Sequence, residues 1–164
     1  MRIIGIDPGT VAMGYGVVDS DGGETTLVDY GVLTAKARSP MGERLAFLYN
    51  GILEIITKSG PDAVAIEQPF VAKNVKSALA IGKAQAVAIL AAAQRGIPTF
   101  EYTPTQVKQR VTNYGASSKE QIQEMVRLQL GMERSPESTD AADALAVALC
   151  HISEVHLSNL LGGQ

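Results

Sequence analysis

The chain contains a single cysteine, Cys150, in 164 residues. An internal disulfide framework and a cysteine-rich zinc site are thereby excluded, and a reducing, cytoplasmic setting is expected. A lone cysteine in an apolar helix reads as a small core residue rather than a catalytic thiol. Histidine is almost as scarce, with only His151 and His156. Five residues apart, they do not share a helix face and do not read as a metal-ligating pair. Neither stands in a motif-like context, which leaves a Ser-His-Asp mechanism without support. Long hydrophobic runs are missing too. The longest, AVAILAAA at 86–93, falls far short of the roughly 20 residues that cross a bilayer, so no membrane association is expected. The N-terminus enters a strand-like RIIGI with no basic region and no cleavage site, and no signal peptide is expected. There is no internal repeat, low-complexity tract or linker that would split the chain.

What is present fits one soluble domain with a full core: 46% of residues are hydrophobic and 19% charged. The domain is expected over 1–158, with 159–164 as a disordered tail ending in Gly162-Gly163-Gln164. A net charge of −3 argues at first against a nucleic-acid partner. Its distribution changes that reading. Between 73 and 127 lie Lys73, Lys76, Lys83, Arg95, Lys108, Arg110, Lys119 and Arg127, opposed only by Glu101, Glu120 and Glu124. A segregated basic region can hold phosphates even on an acidic protein. A solvated surface of ordinary lysines is the plainer alternative.

Residues 2–7, 13–20 and 24–35 read as strands joined by turns at Pro8-Gly9 and Asp21-Gly22-Gly23, an antiparallel meander. Ser39 reads as an N-cap with Pro40 at the first helical position, opening an amphipathic helix over 40–58. AVAIE at 63–67 reads as a buried parallel strand. A helix over 77–95, a strand over 98–102, and helices over 104–112 and 119–130 follow. Ser118 and Gln121 form a capping box before the latter, and a last helix starts near Asp140. This order predicts an α/β fold: a five-stranded mixed sheet flanked by helices on both faces.

Four carboxylates stand at strand ends or in a helix start: Asp7, Glu67, Asp140 and Asp143. Ligands of open α/β sheets sit outside the carboxyl ends of the strands, which places Asp7 and Glu67 side by side there. Asp140 and Asp143, three apart, share a helix face, and Ala141, Ala142, Ala144 and Ala148 let that helix lie close to the sheet. Taken singly, Asp7 is a turn former and the other two complement a helix dipole. As a set, buried acids call for a compensating cation, and oxygen ligands suit Mg²⁺. Four carboxylates can hold two such ions about 4 Å apart for in-line attack on phosphorus.

Asp7…Glu67…Asp140-x-x-Asp143, set in GIDPGT, AIEQPF, AKNVKSALAIGKAQ, QVKQ and DAADALA, resembles the RuvC family of Holliday-junction endonucleases over nearly the whole chain. The resemblance implies a ribonuclease-H-like fold and a homodimer that makes paired symmetric nicks in four-way junction DNA. It also implies a partnership with the RuvA-RuvB branch-migration complex. Asp7, Glu67, Asp140 and Asp143 match the family's catalytic, metal-binding acids. Asp140 takes the place of a histidine in some members, keeping an all-oxygen site that favours two Mg²⁺, or Mn²⁺. Phe70 matches an aromatic that stacks on unpaired bases, a contact worth ~1–3 kcal/mol per base. Lys108 and Lys119 match basic positions near the active site, and Lys73 and Lys76 are candidates for phosphate contacts. GIDPGT also resembles the first phosphate loop of actin-like ATPases and sugar kinases, but no second such loop is found. A non-catalytic junction-binding module would need only the basic segment and Phe70. Four unneutralised acids beside DNA phosphates would oppose it.

Overall fold

A computed structural model describes residues 1–69 and 74–163. The strands are β1 (Arg2–Asp7), β2 (Ala12–Asp21), β3 (Glu24–Thr34), β4 (Ala63–Glu67) and β5 (Thr99–Tyr102). The helices are α1 (Met41–Ser59), α2 (Val75–Gln94), α3 (Pro104–Thr112), α4 (Lys119–Gln129) and α5 (Thr139–Gly162). The sheet order is β3-β2-β1-β4-β5. β1, β2 and β3 form the antiparallel meander, while β4 and β5 join parallel to β1.

Strand alternation divides the core in two. Ile4, Ile6, Val64 and Ile66 point to the face covered by α1 and α2, where Leu48, Ile52, Ala84 and Ala88 meet them. Ile3, Ala63, Ala65 and Tyr102 point to the other face, against Val107, Val126 and the buried run of α5. Burying each Ile or Val side chain contributes roughly 1.5–3 kcal/mol, and β1, central in the sheet, is buried on both faces. The predicted sheet with helices on both faces is therefore observed.

Local chemistry sets the helix ends. Thr103 with Gln106 and Ser118 with Gln121 form complete capping boxes. The cap of α1 differs from expectation: Pro40 occupies the N-cap in an extended conformation without a side-chain hydrogen bond. Ser39 is drawn into a turn instead, its N–H donating to the Lys36 carbonyl at 3.0 Å. α2 begins two residues earlier than expected because the Asn74 side chain accepts from the Ser77 N–H. α5 continues through Gly162, so residues 159–162, expected as a disordered tail, extend the helix. Leu160 and Leu161 keep good helix formers in that stretch. α2 and α5 each have the length and the mean hydropathy, 1.4, of a membrane-crossing helix. For α5, packing explains this composition, since Ala141 to Ile152 is buried except at Asp143.

Candidate active site

β1, β4 and β5 end at one edge of the sheet, where β2 starts. Ile6 pairs with Ile66, so Asp7 and Glu67 follow as neighbours. Alternation turns both toward the α5 face. Close approach of α5 comes from strand glycines as well as from helix alanines. A Cβ added at Gly14 would lie 2.0 Å from the Asp140 carbonyl oxygen, and one at Gly5 2.0 Å from that of Ala144. Gly14 is the register partner of Asp7. The glycine thus seats the first turn of α5 beside Asp7 and delivers Asp140 and Asp143 to it. Carboxylate oxygens of Asp7, Asp140 and Asp143 lie within 4.8 Å of one another. Glu67 stands beside them, lining with Asp143, Lys108 and Lys119 a cleft of about 230 Å³.

The electrostatics record this crowding. Burial first, then repulsion from Glu67, Asp143 and Asp140, pushes the Asp7 carboxyl up to about 8, and a side-chain hydrogen bond with Asp140 adds to the rise. Burial and Asp143 push Glu67 up to about 7 against the opposing pull of Lys119 and Lys108. Burial raises Asp143 too, while Lys119 opposes it. The Lys119 ammonium lies 3.2 Å from Asp143 Oδ2. Burial disfavours its charge, yet Asp143, Asp7 and Asp140 hold its pKa above the usual value. Acids that retain protons near neutral pH because they are buried and repel one another form a site that a divalent cation relieves. The all-oxygen donor set fits a hard ion.

The structure brings together Asp7, Glu67, Asp140, Asp143, Lys108 and Lys119. Lys76 is exposed in the first turn of α2 and does not line the cleft. Phe70 and Lys73 lie outside the described residues. The Lys119–Asp143 ion pair and the seating glycines escaped the sequence reading. Glycines at alternate positions 14 and 16 of one strand, facing an alanine-rich helix, were the available signal. His151 is a core residue: its Nδ1 lies 2.7 Å from the Tyr102 hydroxyl, and burial lowers its pKa. Cys150 is likewise buried, and burial pushes its thiol up to about 12.

A family model described as crossover junction endodeoxyribonuclease RuvC matches residues 3–151. A crossover junction endodeoxyribonuclease RuvC of Dehalococcoides mccartyi is 54% identical over 161 residues, covering 98% of this chain and 96% of that one. Its counterpart in Chloroflexus aggregans is 56% identical over 151 residues, 92% of each chain. Among solved structures, Thermus thermophilus RuvC in complex with Holliday junction substrate superposes with a TM-score of 0.91 at 34% identity, covering 96% of both chains.

Proposed function

The chain belongs to the RuvC family of crossover junction endodeoxyribonucleases, and from that premise we propose that it resolves four-way DNA junctions by paired, metal-dependent nicks. The observation that carries the reading is the convergence of Asp7, Asp140 and Asp143, with Glu67 beside them, at the carboxyl edge of the sheet. Asp7, Glu67, Asp140 and Asp143 would hold Mg²⁺, two ions per site, with Mn²⁺ as a substitute. Such ions, when bound, would supply positive charge to a phosphate and lower the pKa of a bound water.

The chain's own side chains position and tune. Asp7 and Glu67 are fixed by strand register, and Asp140 and Asp143 by the seating of α5, so the carboxylates are preorganised. Lys119 balances part of the acid charge before DNA arrives. With Lys108 it offers a phosphate two ammonium groups at the cleft wall, contacts that position the strand without reading its sequence. Phe70 stacks on bases unpaired at the crossover, and Lys73 and Lys76 hold arm phosphates. A homodimer presents two such sites to one junction. The exposed apolar residues of α2, Val75, Leu79 and Leu90, are the surface for the second copy. The enzyme acts in the cytoplasm, on junctions moved by a RuvA-RuvB motor.

The test is incubation with a synthetic mobile four-way junction and with a linear duplex, each with and without Mg²⁺, beside an Asp140→Asn variant. Paired nicks are expected in the junction only, dependent on metal and lost in the variant. Equal cutting of the linear duplex would remove the claim of structure selectivity. Tight junction binding without any nicking would favour a non-catalytic module.

A further inference from the structure

A second group of cations, outside the basic segment at 73–127, lies on the other flank of the acids. β3 ends at Thr34, which pairs with Ala12 at the start of β2. The Ala35 N–H donates to the Val11 carbonyl at 2.7 Å. The loop at 35–40 is therefore stitched to the loop at 8–11 that leaves Asp7. It carries Lys36 and Arg38, both exposed. Arg44, in the first turn of α1, ties the two loops together. Its Nε donates to the Ser39 carbonyl and its Nη1 to the Thr10 hydroxyl, each at 3.2 Å. Its Nη2 N–H groups have no partner among the described residues, and no ion pair among them involves Lys36, Arg38 or Arg44. Glu43 is the one acid at positions 30–50.

We infer that Lys36, Arg38 and Arg44 form a phosphate-holding rim on the β3 side of the acid cluster, anchored through Thr10 to the loop that follows Asp7. The inference rests on the nuclease reading above. Lys108 and Lys119 stand at the cleft beside Glu67, toward β5. β3 lies two strands from β1 on the opposite side. With strands about 4.8 Å apart, the rim begins about 10 Å from Asp7. A backbone crossing this edge would meet cations before and after the acids, which otherwise repel it. Arg44 suits the inner position because its planar fork can bond the Thr10 and Ser39 oxygens and still offer N–H groups outward. Lys36 and Arg38 suit the outer positions, where solvated charge attracts without fixed geometry.

Junction affinity measured in EDTA across a KCl series tests the rim, because each lost phosphate contact lowers the salt slope by about 0.9. A Lys36→Ala/Arg38→Ala double variant should lower the slope by about two while keeping the wild-type melting temperature, since both side chains are exposed. Arg44→Gln should lower it by about one, and Arg44→Lys should restore it only in part, because a single ammonium cannot bond Thr10 and Ser39 and also face outward. Lys58→Ala, at the far end of α1, should leave it unchanged. An unchanged slope in the double variant, or an equal loss in Lys58→Ala, overturns the inference. Wild-type nicking of the junction in Mg²⁺ is scored separately. Its absence defeats the nuclease reading, whereas nicking with an unchanged slope defeats the rim alone.

Discussion

Asp7 shows what it costs to crowd one buried carboxylate among others. Burial and three neighbouring acids push its carboxyl up to about 8, and Glu67 follows at about 7. A carboxyl whose folded pKa is raised contributes stability that is fully present below its unfolded value, near 4, and lost as pH rises through the folded value. The metal-free protein should therefore lose thermal stability between about pH 4 and pH 8. Mg²⁺ should return it, most strongly at the upper end, where the acids compete least with protons. Asp7→Asn should flatten the metal-free profile and melt higher than wild type at pH 8.5 in EDTA, while abolishing nicking. Calorimetry over a pH series reads this directly; parallel wild-type and Asp7→Asn profiles would contradict it. The acids themselves were legible in the sequence because each stands at an element boundary that turn and strand signals mark. The partner of Lys119 was not legible. Its contact with Asp143 joins the starts of α4 and α5, and nothing local to either helix specifies their relative placement.

Among elements, the approach of α5 to β1 and β2 decides whether the four acids meet. Gly14 permits it, and backbone atoms of Asp140 and Ala141 occupy the space a Cβ would need. Backbone cannot yield as a flexible side chain can, so Gly14→Ala should destabilise by roughly 1–3 kcal/mol through overpacking. It should also displace Asp140 and Asp143 and weaken Mg²⁺ binding. Gly42→Ala is the control. It lies in the first turn of α1 with nothing within 4 Å of the added methyl, and should stabilise by roughly 0.4–1 kcal/mol. Thermal melts and metal titration of the two variants check the contrast. Equal effects would mean that the glycine, not the contact, matters. The capping box at Ser118 was readable because its chemistry spans three residues of sequence. Pro40 displaced Ser39 from the cap of α1 because Ser39 joins the turn that links this helix to β3, a tertiary choice that local preference does not encode.

At the scale of the molecule, α2 and the end of α5 both leave apolar side chains uncovered, Leu160 and Leu161 on α5 among them. α2 buries Ala84, Ala88, Ala91 and Ala92 against the sheet but leaves Val75 and Leu79 each 65% exposed and Leu90 52% exposed. Scattered exposed apolar residues are ordinary, whereas Val75, Leu79 and Leu90 fall on one face of α2 and form a patch that association can cover. The sequence showed the helix and its small residues, yet which side faced the sheet became visible only with α1 packed beside it. A second copy applied to this surface would bring two acid clusters to one junction, and paired nicks follow from that symmetry. Sedimentation should give twice the chain mass of 17.3 kDa for the wild type. Leu79→Glu, which places a charge in the patch without touching the core, should sediment as a monomer with an unchanged circular dichroism spectrum. Its junction cuts should then become unpaired: on a supercoiled plasmid carrying one extruded cruciform, nicked circles should accumulate where the wild type yields linear product. A wild type that sediments as a monomer, or a Leu79→Glu protein that still linearises the plasmid in one encounter, would place the second active site on some other surface than α2.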